Sequence, residues 1–286
     1  MKSMIKDKHK SALSILKCGD KDINLSHKVV MAILNVTPVS FFDGGVNMTE
    51  TAWLQKVEQS LNEGAGIIDI GAVSTRPGAR EVSQDEELER LIPAVKSILK
   101  HFPESIISVD TYRSAIAHAV IEEGASMIND ISGGTFDADI FQVVAQAGLP
   151  YIVMHIKGTP RNMQVNPEYA DITKEVKDFL NVQTELAEQA GIQQIIWDPG
   201  FGFGKNNEHN YQLMKDLKLF KDSGHTLLVG ISRKSMINKV LGTKPSEALN
   251  GTTVLNTFAL LNGADILRVH DVKEAVETIK LLEMLK

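Results

Sequence analysis

Eight short apolar strands, each closing on a polar residue and each followed by a segment of helical period, predict one closed (β/α)₈ barrel for this 286-residue chain. Two further observations agree. Each βα unit is so short that consecutive strands must run parallel, with a helix crossing between them. The first strand-to-helix junction, Asn35-Val-Thr-Pro-Val-Ser-Phe-Phe-Asp-Gly-Gly45, is not the compact G-x-G-x-x-G turn of an open dinucleotide-binding sheet, so a Rossmann-like sheet is the weaker alternative. In a barrel the polar strand ends all meet at one mouth.

The elements follow in order. Residues 1–28 are a polar, basic N-terminal extension in which 12–16 is expected to pair as a hairpin with 23–25 and to plug one end of the barrel, which occupies 29–286. Apolar runs rich in β-branched residues predict strands near 29–34, 66–71, 105–110, 126–130, 150–155, 194–198, 225–231 and 265–269. The sixth is closed by Asp198-Pro199, because proline cannot donate to a sheet ladder. Helical periodicity predicts helices near 50–63, 84–100, 112–123, 137–147, 168–190, 207–222, 246–262 and 271–285. Composition narrows the function. A net charge of −6 argues against a broad nucleic-acid surface and confines any phosphate site to a local basic cluster. One cysteine, Cys18, excludes an internal disulfide and a cysteine metal cluster. No apolar run is long enough to cross a bilayer, and the lysine-rich start leads into no signal-type core, so a cytoplasmic location is expected.

The chemistry is expected at the strand ends. After the seventh strand comes Gly230-Ile-Ser-Arg-Lys-Ser235, and the eighth ends in Arg268-Val-His270; loops at these positions commonly hold phosphate in barrels. Period-two spacing puts Arg268 and His270 on one side of their strand. Lys234 stands at a helix start, which disfavours a cation unless an anion meets it there. Asp110, Asn129 and Asp198 form a donor and acceptor set suited to a flat nitrogen heterocycle with amino and oxo groups. Asp110 could equally cap the next helix, and Asp69 and His155 could be buried structural groups, with Met154 a pocket wall or a core filler. In Asp198-Pro-Gly-Phe-Gly-Phe-Gly-Lys205 the glycines permit a tight turn, Phe203 offers a flat face and Lys205 a charge. Two long junction loops, 35–47 and 72–79, carry Asp43 beside glycines, a candidate mobile lid, and Thr75-Arg76-Pro77, a hydroxyl and a guanidinium on a stiffened turn.

These motifs, with Ile33-Leu-Asn-Val-Thr-Pro38, Ser74-Thr-Arg-Pro-Gly78, Ser108-Val-Asp110 and Ile128-Asn-Asp-Ile-Ser-Gly133, occur in order along the barrel, and together the chain resembles the dihydropteroate synthases. The resemblance implies condensation of 6-hydroxymethyl-7,8-dihydropterin diphosphate with p-aminobenzoate. It implies a pterin site of Asp110, Asn129, Met154, Asp198 and Lys234, and a p-aminobenzoate site of Thr75, Arg76, Pro77, Phe203, Lys234 and Ser235. It further implies a diphosphate site of Asn35, Arg268 and His270 with Asn35 on a Mg²⁺ ion, and catalytic roles for Asp43, Arg76, Lys234, Arg268 and His270. A homodimer through helices late in the chain and binding of sulfonamide-type mimics also belong to that likeness. Val39, Phe42 and Val73 depart from the family pattern of an acid, a serine and a glutamate, which bears on lid contacts. Two alternatives stand beside the synthase: a pterin-binding methyltransferase domain on a related barrel, and a pterin-binding protein without catalysis.

Overall fold

A computed structural model describes residues 14–37, 49–73 and 82–285. Strands β1 (Ile15–Cys18) and β2 (Lys21–Asn24) form an antiparallel hairpin that pairs Leu16 with Ile23 and turns at Gly19, whose φ is +72°. Then come β3 (Val29–Asn35), β4 (Ile67–Gly71), β5 (Ile107–Asp110), β6 (Met127–Asp130), β7 (Tyr151–Met154), β8 (Ile195–Asp198), β9 (Thr226–Val229) and β10 (Ile266–Val269). These eight strands are parallel and close into a barrel in sequence order, β10 pairing with β3. The helices are α1 (Glu50–Glu63), α2 (Gln84–His101), α3 (Ser114–Glu122), α4 (Ile140–Ala147), α5 (Ile172–Ala190), α6 (Asn207–Lys215), α7 (Leu217–Lys221), α8 (Ser235–Leu241), α9 (Leu249–Leu261) and α10 (Val272–Glu283).

Strand periodicity divides the barrel into shells. Residues such as Val30, Ala32, Ile68, Ile70, Val109 and Val153 face outward into one continuous core with the helices. Their neighbours Met31, Ile67, Met127, Ile152, Ile196, Leu228 and Ile266 face inward as an apolar basal layer, and Leu16, Cys18 and Ile23 of the hairpin join that layer from below. The hairpin is pinned in place by a reciprocal amide contact: the Lys17 backbone N–H donates to Gln194 Oε1 (2.6 Å) and Gln194 Nε2 to the Lys17 carbonyl (2.9 Å). Lys21 Nζ donates to the carbonyls of Pro103 and Ser105 at 2.5 and 2.9 Å. The site therefore lies at the other, C-terminal end.

The helices differ from the sequence expectation in four ways. The stretch 207–222 divides into α6 and α7 at Asp216, whose carboxylate accepts from Thr173 Oγ1 (2.7 Å) and Gln212 Nε2 (2.6 Å) instead of continuing one helix face. A further helix, α8, follows β9. At seven residues it is too short to show a helical period, and it closes at Gly242, with φ +67°. The helix expected from 246 begins at Leu249, after a 3₁₀ turn Pro245–Glu247. Helices expected to start at 112, 137 and 168 start at Ser114, Ile140 and Ile172. The Asp137 carboxylate accepts the Ser114 N–H (2.7 Å), and Asp171 caps α5 by accepting the Lys174 N–H (3.0 Å).

Candidate active site

Two residues above the basal layer, four inward columns turn polar: Asp69 above Ile67, Asn129 above Met127, Asp198 above Ile196 and Arg268 above Ile266. Strand register sets the rim. Asn35 pairs with Gly71, Gly71 with Asp110 and Asp110 with Asn129, a row that runs a quarter of the way round the mouth and more. Gly71 keeps the row open, since a Cβ there would stand 3.7 Å from Asn35 Oδ1 and 3.7 Å from Asp110 Cβ.

The acids and the arginine form one network. Arg268 donates from Nε to Asp69 Oδ2 (2.6 Å) and from Nη2 to Asp110 Oδ2 (3.0 Å). Asp69, fully buried, also accepts from Ser108 Oγ (2.6 Å) and from Asn129 Nδ2 (3.2 Å to Oδ2). Arg268 of β10 reaches past β3 to the carboxylates of β4 and β5, so a cation and two acids from separate strands share one end of the barrel. Burial pushes the Asp110 carboxyl up to about 7, the Arg268 charge opposing the rise and the Asp69 charge adding to it. Of these residues sequence spacing leaves Asp69 undecided, and its two-residue step above Ile67 is the signal that places it.

The tip of β8 supplies the opposite wall. Asp198 is buried beside Met154 in register, and its Oδ1 accepts the Gly200 N–H at 2.8 Å. Burial raises its carboxyl, with the Lys234 charge the main opposing influence. Lys234 donates to the Phe201 carbonyl at 2.5 Å and stands 4.9 Å from the centroid of the Phe203 ring. Burial, with the Arg268 charge adding to it and Asp198 opposing, lowers the ammonium to about 8. Phe203 and Tyr112, half-buried, border an apolar cluster of Ile131, Met154, Ile156 and Met163, which gives the polar groups a flat greasy neighbour.

Lys205 does something other than present a charge to a ligand. It is 2 % exposed, and Nζ lies 2.8 Å from His155 Nδ1, 2.8 Å from the Gly200 carbonyl and 3.0 Å from that of Phe203. Burial, then the Lys205 charge, drop the His155 imidazole to about 2, so it stays neutral and Nδ1 can accept. The β8 loop is thereby tied to β7 so closely that a Cβ on Gly200 would fall 1.9 Å from the His155 carbonyl.

After β9 and β10, His270 places Nδ1 3.1 Å from Ser232 Oγ, and its backbone N–H donates to the same oxygen at 3.2 Å. Burial first, then the charges of Arg268 and Arg233, lower its imidazole to about 4. Arg233, in a left-handed backbone conformation with φ +57°, turns its guanidinium to Asp271 (Nε to Oδ2, 3.0 Å). Ser235 is exposed as the first residue of α8, next to Lys234. Asp43, Thr75, Arg76 and Pro77, like Val39 and Phe42, lie outside the described residues. Among the described residues no group of three His, Cys, Asp or Glu side chains could hold a metal ion.

A parallel barrel whose mouth combines an amide and acids, a flat apolar wall and a basic rim defines a binder of a flat polar heterocycle bearing an anionic group. A family model described as pterin binding enzyme matches residues 31–270, and the chain belongs to that family. Within it the chain falls among the dihydropteroate synthases. It is 45% identical over 263 residues to dihydropteroate synthase of Escherichia coli K12, covering 91% of this chain and 93% of that one. A crystal structure of the Yersinia pestis dihydropteroate synthase with a sulfonamide drug complex superposes with a TM-score of 0.90 at 41% identity, covering 95% of this chain and 98% of that one. That of Xanthomonas albilineans with 4-aminobenzoic acid gives 0.88 at 35% identity, with the same coverage.

Proposed function

We infer that the chain condenses 6-hydroxymethyl-7,8-dihydropterin diphosphate with p-aminobenzoate, giving 7,8-dihydropteroate and diphosphate for folate biosynthesis. The observation that carries the reading is the convergence of Asp110, Asn129 and Asp198 with Lys234, Arg268 and His270 on one barrel mouth. Carboxylates and an amide match the amidine-like edge and ring oxygen of a pterin, and Met154 and Phe203 match its faces. Cleavage of the bond between the pterin methylene and the diphosphate leaves positive charge on carbon and negative charge on the departing group. Arg268 and His270 stabilise the latter, and conjugation into the pterin stabilises the former. The p-aminobenzoate nitrogen then attacks the carbon and loses its proton; held in line, it needs no strong base. Sulfonamides, as mimics of p-aminobenzoate, would compete beside Phe203, Lys234 and Ser235.

Mg²⁺ belongs to this reading as the counter-ion of the diphosphate. A hard cation that keeps water and phosphate oxygens as ligands fits a rim with one amide oxygen, that of Asn35, better than a dedicated acidic cage. When bound it would neutralise charge on the leaving group. The first and second loops are assigned the closing of the site, Asp43 to the developing cation and Thr75, Arg76 and Pro77 to p-aminobenzoate. We assign the protein to the cytoplasm, in keeping with its single cysteine. We also assign it a homodimer, supported by the exposed apolar stripe Val254, Phe258 and Leu261 on α9.

The test is diphosphate release from the pterin diphosphate, with and without p-aminobenzoate and Mg²⁺. Release that depends on Mg²⁺ and is accelerated by p-aminobenzoate, which traps the cation, is expected. A protein that binds the pterin diphosphate and never releases diphosphate would sink the reading.

A further inference from the structure

Asp69 has no role in the reaction outlined above, yet two residues of the site are fastened to it. Its side chain is fully buried at mid-barrel on β4. Oδ1 accepts from Ser108 Oγ (2.6 Å), Oδ2 from Arg268 Nε (2.6 Å), and the Asn129 amide nitrogen lies 3.2 and 3.4 Å from its two oxygens. A carboxylate has about four lone-pair sites, enough for all three donors. Because a carboxylate only accepts, it fixes which end of the Asn129 amide points down the barrel, leaving the carbonyl oxygen of Asn129 to receive an N–H from a ligand. Because it holds Arg268 at Nε, the two Nη groups are the ones that can change partners, and Nη2 rests on Asp110 at 3.0 Å.

We propose that Asp69 is a positioning residue that couples the two halves of the substrate site, aiming Asn129 at the heterocycle and Arg268 at the diphosphate. This rests on the synthase reading. When a pterin claims the Asp110 carboxylate, Arg268 loses one partner and keeps the other. The guanidinium then pivots about its Nε contact with Asp69 and offers Nη2 to the diphosphate. Heterocycle binding would thereby present the cation that receives the leaving group, with one buried carboxylate as the fixed point.

Asp69→Asn in the full-length chain tests this, since the amide cannot accept from all three donors. The KM for the pterin diphosphate is expected to rise about tenfold or more, the scale of a lost charge-assisted contact, while the KM for p-aminobenzoate stays within about twofold. Calorimetry with 6-hydroxymethylpterin alone, and with inorganic diphosphate plus Mg²⁺, should show both affinities weakened in the variant. A lowered melting temperature and a reduced active fraction with both KM values unchanged would mean a structural role only and would overturn the proposal. Should Asp69→Asn not fold, Ser108→Ala decides. It removes the third support of the carboxylate, and a KM for the pterin diphosphate about threefold higher is expected on the same physical ground. An unchanged value overturns the proposal. Wild-type protein run alongside separates the two ideas: no diphosphate release from it refutes the synthase reading, and normal release with unaltered Asp69→Asn constants refutes the pivot alone.

Discussion

Asp110 and His270 sit in one mouth and respond to pH in opposite directions. Burial holds the Asp110 carboxyl at about 7, above its ordinary value. As pH rises from 4 to 7 the unfolded chain releases this proton first, the folded chain binds more protons, and stability falls across that window. Asp110→Asn removes the titration, so its stability relative to wild type should rise by roughly 2 kcal/mol between pH 4 and pH 7, while turnover drops by about tenfold or more. His270 is held at about 4, below its ordinary value. As pH falls from 6.5 to 4 the unfolded chain takes up a proton that the folded chain refuses, so stability is lost on acidification. His270→Gln should recover roughly 2 kcal/mol of that loss. Urea midpoints at several pH values check both, and difference slopes of the same sign in the two variants would contradict the assignment.

At the scale of elements, the β8 tip and the hairpin share the stability between the two ends of the barrel. Gly200 combines φ +70° with a virtual Cβ 1.9 Å from the His155 carbonyl, so Gly200→Ala must push two backbones apart. A destabilisation of about 3 kcal/mol is expected, with the KM for the pterin diphosphate rising because Asp198 and Phe203 move with the loop. At the opposite end Leu16 is fully buried in the basal layer, so Leu16→Ala should cost about 2–5 kcal/mol and leave both KM values within about twofold. Denaturation and steady-state kinetics on the two variants would show whether site and plug are separable. The pattern of apolar strand, acid, proline and spaced glycines makes the β8 tip readable from the sequence. Lys205 was not readable in the same way. Residue type says that an ammonium needs acceptors, and nothing local says whether these are ligand oxygens or the carbonyls of its own loop. Helix α8 escaped for a plainer reason, that seven residues carry less than two full turns of period. Asp69 stays undecided in the sequence because its partners Ser108, Asn129 and Arg268 come from three other strands and only the closed barrel brings them together.

For the molecule as a whole, the polar site lies at one end of the barrel and an exposed apolar stripe lies on its flank. Residues four and three apart, Val254, Phe258 and Leu261, make one stripe along α9 that is 58%, 39% and 69% exposed, and α10, packed against α9, adds Leu281 at 70%. Scattered apolar residues on a surface need no partner, but an aligned set on two neighbouring helices is the arrangement an isologous contact buries. A stable interface covers about 800 Å² on each partner, so the stripe must serve as the centre of a larger patch, with the ends of α8 and α10 around it. The dimer reading predicts that the wild-type chain, of 31.4 kDa, runs in light scattering at about twice that mass, a homodimer having two chains. Phe258→Glu, which places a charge at the middle of the stripe, should shift it to the single-chain mass at micromolar concentration, because an unpaired buried charge costs more than the contact returns. Turnover per chain should stay within about twofold, since Val254, Phe258 and Leu261 are exposed on the flank and a closed barrel transmits little from flank to rim. A wild-type monomer under these conditions, or a Phe258→Glu chain that remains dimeric, would move the interface elsewhere or remove it.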